Sequence, residues 1–126
     1  ERCFAMYYAT ARDFARFGKL LNNSGDWNGT QLLDSNFVAD MLQPIAAQSE
    51  ACGASHYGYQ IWLGETEDGL AFSCMEGLRG QFIVSVPALD LVVVRTGFDK
   101  DKNKTDDLPS CSYRMIDMAR ALLNQA

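Results

Sequence analysis

The stretch Phe72-Ser-Cys-Met-Glu-Gly-Leu-Arg-Gly-Gln-Phe-Ile-Val-Ser-Val-Pro-Ala-Leu-Asp-Leu-Val-Val-Val-Arg-Thr-Gly97 constrains this chain more than any other part of it. Its β-branched and aromatic runs, Gln81 to Val86 and Leu91 to Thr96, read as strands. Between them Pro87-Ala-Leu-Asp90 has the composition of a tight turn, with proline pre-setting the first φ. Connections this short leave only antiparallel pairing, so two or three adjacent antiparallel strands are predicted. Gly77-Leu78-Arg79-Gly80 interrupts the pattern with two glycines, where backbone can come close to a bound group. Two readings stand there: a bulge that twists the sheet, or a wall of a binding site.

The flanking segments supply helices and one further hairpin. Thr10-Ala-Arg-Asp13 has the form of a capping box. Phe14, Phe17, Leu20 and Leu21 follow at helical spacing, and Asn22-Asn23-Ser24-Gly25 suits a left-handed C-terminal position. After a turn at Trp27-Asn28-Gly29, Asp34 or Ser35 is placed to cap a short helix with Phe37, Val38, Met41 and Leu42 on one face, ended by Pro44. Residues 45 to 56 read as a small-residue loop. Tyr57, Tyr59, Ile61 and Leu63 alternate as in a strand, Glu65 to Gly69 closes a hairpin, and Leu70 to Met75 returns beside it. Phe98 to Ser110 is charged and turn-rich, and a last helix from about Ser112 aligns Met115, Ile116, Ala119, Leu122 and Leu123, leaving Asp117 and Arg120 to water. Helices segregated from antiparallel strands define an α+β fold, a sheet of about four strands flanked by helices, in one domain over residues 1–126.

Bulk properties exclude several function classes. Acidic residues outnumber basic ones 16 to 11 and the basic residues are scattered, so no electrostatic footprint for nucleic acid is present. No apolar run approaches the roughly 20 residues of a membrane-spanning helix. The four cysteines, Cys3, Cys52, Cys74 and Cys111, form no Cys-x-x-Cys pair, which argues against a structural metal site. Free thiols and disulfides both fit their number, and Cys74, inside a strand pattern, fits a small buried hydrophobe. The first residue is Glu1, so a processed or truncated start is expected and any export signal would be lost with it.

In this order the pieces resemble a known family. Ala9-Thr-Ala-Arg-Asp-Phe-Ala-Arg-Phe-Gly-Lys-Leu-Leu-Asn-Asn-Ser-Gly25 is similar to a conserved helix of β-lactamase-related serine hydrolases, as are three further blocks. These are Trp27-Asn-Gly-Thr-Gln-Leu-Leu33, Tyr57-Gly-Tyr-Gln-Ile-Trp-Leu63 and Gly77 to Val94. The family includes class C β-lactamases, penicillin-binding proteins, D-aminopeptidases, esterases and 6-aminohexanoate-dimer hydrolases. The resemblance implies that the chain is the C-terminal portion of such a fold. It implies acyl transfer to a serine in a Ser-x-x-Lys motif assisted by a tyrosine motif, no cofactor, and a bacterial periplasmic or cell-surface setting. Neither motif is here: no serine has lysine three residues on, and no tyrosine is followed by x-Asn. This chain alone is therefore expected to be inactive, its partners being a small-molecule amide or ester and the N-terminal part of the same fold.

The family's Lys-Thr-Gly strand falls on Met75-Glu76-Gly77, where only the glycine matches, while Gly77-Leu-Arg-Gly80-Gln81 resembles the Gly-x-x-Gly-Gln common in the family's hydrolases closer in sequence to this chain, which favours an amidase or esterase over a β-lactamase. The resemblance therefore assigns Gly77 and the backbone N–H of Leu78 to one half of an oxyanion hole. Arg79 is a candidate for a substrate carboxylate or a solvated rim residue. Gly80 is placed in substrate binding, and Glu76 in either an acid/base role or a strand-edge charge. Ser55-His56 lacks the second glycine of a nucleophile elbow and reads as loop. Tyr57, Tyr59 and Trp62 read as packing. An opposing reading is a non-catalytic module that keeps the fold for binding or assembly. If the complete sheet draws strands from elsewhere, the first strand here or its neighbour has an open edge that could pair with another copy as a homo-oligomer.

Overall fold

The computed structural model describes residues 7–45, 56–98, 104–105 and 108–124. Helix α1 (Ala11–Asn22) starts as its sequence requires. The Thr10 hydroxyl accepts from the Asp13 amide at 3.2 Å, and the Asp13 carboxylate accepts from the Thr10 amide at 3.2 Å. The Thr10 hydroxyl also donates to the Asp13 carboxylate at 2.6 Å, and this bond, then that from the Thr10 amide, then that from Arg16, hold the Asp13 carboxyl below the usual carboxylate range. The helix ends where Ser24 and Gly25 turn left-handed, at φ 52° and 86°, and the Gly25 amide donates to the Leu20 carbonyl at 2.8 Å.

The strands β1 (Asp26–Trp27) and β2 (Thr30–Gln31) form a small antiparallel pair around Asn28-Gly29. Helix α2 (Ser35–Met41) is capped by Asp34, whose carboxylate accepts from the amides of Asn36 and Phe37 at 2.9 and 3.0 Å. Val38 is buried on its inner face, while Phe37 is half exposed and leans on Tyr59.

The main sheet has four antiparallel strands in sequence order: β3 (Trp62–Glu65), β4 (Ala71–Gly77), β5 (Gln81–Val86) and β6 (Leu91–Arg95). Strands β7 (Lys104–Thr105) and β8 (Leu108–Pro109) make a separate short pair, and helix α3 (Ser110–Leu123) follows at once. The turn at Pro87–Leu89 is a single 3-10 turn closed by Asp90 in the left-handed region. Strand alternation sorts the β4 and β5 side chains between the two faces. Phe72, Cys74, Phe82, Val84 and Val86 pack with Leu108 of β8 and Ile116 of α3, all of them buried. Met75, on the opposite face, packs with a second cluster of Leu21, Val38 and Ile61.

Helix α1 docks on the β5–β6 side through its smallest residue. A Cβ at Gly18 would lie 2.6 Å from Val92 Cγ1, so only glycine permits this approach. The buried Ser85 hydroxyl donates to the carboxamide oxygen of Asn22 and lies 3.3 Å from the Gly18 carbonyl, and the Asn22 side-chain Nδ2 donates to the Leu91 carbonyl at 3.3 Å. A buried hydroxyl is thereby satisfied by the helix that covers it.

Three expectations are corrected. The strand predicted over Tyr57 to Leu63 begins only at Trp62. A turn intervenes, in which the Gly58 amide donates to the Ile61 carbonyl at 2.8 Å and Gln60 is left-handed at φ 58°, leaving Tyr57 a lone bridge to Trp62. The helical stripe of α1 is also shifted: Phe17 is 43% exposed, and Gly18 with Leu21 forms the buried line instead. On α3, Ser112 and Ile116 face the core, whereas Leu122 and Leu123 are 68% and 57% exposed, because a helix docked by one narrow line leaves its remaining apolar residues outside. The loop expected over residues 45 to 56 lies almost wholly outside the described residues, as do Cys3 and Cys52.

Candidate active site

The glycine pair predicted from sequence is the tip of a hairpin. Gly77 pairs with Gln81 as the last rung of the β4–β5 ladder, and Leu78-Arg79-Gly80 crosses between the strands. The three-residue crossing needs left-handed backbone twice, at Arg79 (φ 63°) and Gly80 (φ 84°). Glycine takes that conformation freely, whereas Arg79 does so at a cost that its surroundings must offset. Gly77 is required for a different reason, because a Cβ there would lie 2.9 Å from Gln81 Cβ.

The hairpin tip stands clear of its neighbour. Strand β3 pairs with β4 only from Ala71 to Cys74, so Met75, Glu76 and Gly77 extend beyond that ladder. A cavity of about 800 Å³ lies at this end of the sheet, and Glu76, Gly77, Leu78 and Arg79 all line it. Tyr7, Tyr8 and Phe14 contribute an aromatic wall, with Tyr7 edge-on to Phe14 at 6.0 Å. Its size and largely apolar wall with a few polar groups match a small-molecule site. Gly80 is buried under the turn and does not line the cavity. Leu78, at the tip, is 86% exposed.

Register sets the polar groups here. Glu76, Phe82 and Arg95 are direct partners across β4, β5 and β6 and therefore share a face. Arg95 lays its guanidinium over the Phe82 ring, 6.0 Å from the centroid, and donates to the Gly80 carbonyl at 2.8 Å. The Gln81 carboxamide accepts from the Gly97 amide at 3.2 Å and donates to the Gly97 carbonyl. Sequence reading passed over Arg95 as an ordinary strand residue, and a lone arginine at a strand end carries no local signal for such a contact. Gln81 did carry one, as the last residue of the Gly-x-x-Gly-Gln match.

Elsewhere, Cys74 is a buried thiol, pushed up to about 12 by burial first and then by the nearby charges of Glu76 and Cys111. A second cavity of about 800 Å³ lies between the β3–β4 turn and α3, lined by ionic side chains including Glu65, Arg114 and Asp117. The charges there serve the fold, since Arg120 grips both carboxylate oxygens of Asp68 at 2.7 and 3.1 Å. Arg120, expected to be available to water, also makes a tertiary contact. The His56 carbonyl accepts from the Leu63 amide at 2.9 Å, consistent with a backbone role for that loop, and Ser55 lies outside the described residues. Among the described residues no cluster of three or more His, Cys, Asp or Glu is assembled that could hold a metal ion.

The class defined by these observations is an α+β domain of β-lactamase-like fold, with a four-stranded antiparallel sheet and helices on both faces. No protein-family model matches the chain, and no curated protein does. Among solved structures it is similar to "Putative 6-aminohexanoate-dimer hydrolase from Bacillus anthracis", with 32% sequence identity and a TM-score of 0.66. The match covers 92% of this chain and 30% of the other, so the chain spans less than a third of the length of the protein it resembles.

Proposed function

We propose that this chain forms part of a serine hydrolase that cleaves an amide or ester through an acyl-enzyme. The observation that carries the reading is the Gly77 to Gly80 hairpin tip, set at the mouth of an apolar cavity in a chain 32% identical to a hydrolase. In this reading a serine outside the chain attacks the carbonyl carbon, and a lysine and a tyrosine, also outside it, move the proton. The carbonyl oxygen becomes an oxyanion as the tetrahedral intermediate forms. The Leu78 amide, following Gly77, donates to it, with the amide of the serine itself as second donor. A donor of this kind is worth about 3 kcal/mol of transition-state stabilisation. Collapse expels the amine or alcohol, and water then releases the acyl group. Arg79 and Glu76 line the cavity on either side of this position and are assigned to substrate polar groups, Arg79 to a carboxylate.

A fluorophosphonate probe tests the reading. The intact protein that carries this chain is expected to be labelled at one serine, in a Ser-x-x-Lys motif, with loss of esterase activity in step. Absence of labelling, or of that motif from the intact sequence, would overturn the enzyme in favour of a binding module.

A further inference from the structure

We infer that Gln81 and Arg95 are positioning residues that lock the Leu78-Arg79-Gly80 turn, and with it the Leu78 amide, against the end of β6. The inference rests on the hydrolase reading for its catalytic consequence, while the lock itself is a matter of geometry.

The β5–β6 ladder ends at Phe82 opposite Arg95. Beyond it the two backbones no longer face each other as partners, yet the turn is still tied to the β6 side by two side chains. Gln81 presents one donor and one acceptor, and Gly97 presents the complementary pair. The Gly97 amide donates to Gln81 Oε1 at 3.2 Å and Gln81 Nε2 donates back to the Gly97 carbonyl. A side-chain amide thus extends the ladder by one rung. Arg95 adds a charge-assisted bond from Nη1 to the Gly80 carbonyl at 2.8 Å, with its guanidinium held flat over Phe82. A Cβ added at Gly97 would meet the guanidinium carbon at 3.5 Å, so Arg95 lies beside Gly97 as well.

The turn needs such restraint. Arg79 is left-handed without being glycine, a state that persists only where the surroundings over-determine it. Gln81 also touches the residue that matters most, because its Cβ occupies the space a side chain at Gly77 would need. One residue therefore links Gly77 on β4 to Gly97 after β6, and sets where the next amide points. An oxyanion donor is effective only at its proper position, and a misplacement of about 1 Å can cost on the order of 100-fold in rate.

The test uses the intact protein with 4-nitrophenyl acetate, and deuterium exchange of the peptide spanning residues 78–80. Gln81→Ala is expected to lower kcat by about 10- to 100-fold with KM little changed, to speed exchange at residues 78–80, and to leave the melting temperature within a few degrees. Arg95→Lys, which keeps a cationic donor for the Gly80 carbonyl, is expected to retain most of the activity that Arg95→Gln loses. Should Gln81→Ala fail to fold, Gln81→Glu, which keeps the acceptor but not the donor, carries the same comparison. Unchanged loop exchange in both Gln81→Ala and Arg95→Gln would overturn the lock. So would a loss of activity matched by faster exchange throughout the sheet, the mark of general destabilisation. A wild-type protein that neither hydrolyses the ester nor takes up the fluorophosphonate would overturn the hydrolase reading instead, and loop exchange would still decide the lock.

Discussion

Cys74 and Glu76 stand two residues apart on β4, so their side chains leave the same face of the sheet, one into the core and one toward the cavity. That difference in surroundings separates their chemistry. Removed from water, the Cys74 thiolate has nothing to replace its hydration, and the thiol is held up at about 12 against a usual value of 9.0. Native protein at pH 8 is accordingly expected to resist iodoacetamide at Cys74, with modification appearing only in denaturant, as read by mass spectrometry of the tryptic peptide. Rapid native labelling there would contradict the packing described. The strand pattern around Cys74 already pointed to a buried small side chain. Arg95 shows the opposite case, because nothing local in Val-Val-Arg-Thr says that the guanidinium turns back over Phe82 to reach Gly80.

At the level of elements, the Thr10 capping box, the Asp34 cap, the Pro87 turn and the runs of β4 to β6 were legible because each depends on residues within a few positions of one another. Thr10 with Asp13 and Asp34 with Asn36 and Phe37 behave as short-range chemistry dictates. The start of β3 was not, because the turn at Gly58 to Ile61 is stabilised from outside, by the Met41 carbonyl accepting from the Tyr59 amide at 3.1 Å. Docking of α3 is likewise a tertiary matter, resting on Ile116 in the core and on the Asp68–Arg120 pair at the rim. Ile116→Ala is expected to lower stability by about 2–5 kcal/mol, from lost burial plus the cavity left behind, measured by urea denaturation. The rim pair gives a pH dependence of known sign. The Arg120 hydrogen bonds, then that from Thr66, hold the Asp68 carboxyl at about 2, below its ordinary 3.8. Its contribution is therefore complete above pH 4 and lost as pH falls toward 2. Asp68→Asn is expected to flatten the fall in melting temperature over that interval, and an unchanged profile would show the pair to be inert.

At the scale of the whole molecule, the four-stranded sheet carries two edges, β3 and β6, and an oxyanion-type turn whose proposed chemistry needs a nucleophile from outside the chain. On the proposed reading, the 126-residue chain by itself is expected to show no hydrolysis of 4-nitrophenyl acetate above buffer, and a longer protein carrying it together with a Ser-x-x-Lys motif is expected to hydrolyse it. Activity in the isolated chain would require a nucleophile among its own residues and would displace the proposed mechanism. Alternating β-branched runs, capping residues and glycines determined the α+β class and the break in the strand pattern at Gly77 to Gly80, read as a bulge or a site wall and found to be a hairpin turn, because each is a preference of the backbone or of near neighbours in the chain. Only tertiary structure decided that this turn opens on a cavity, that Arg95 and Gln81 tie it to β6, and that Gly18 is the point where α1 meets the sheet. Those contacts join residues distant in sequence, where what packs or bonds is settled by the register and closeness of the elements and by no local pattern.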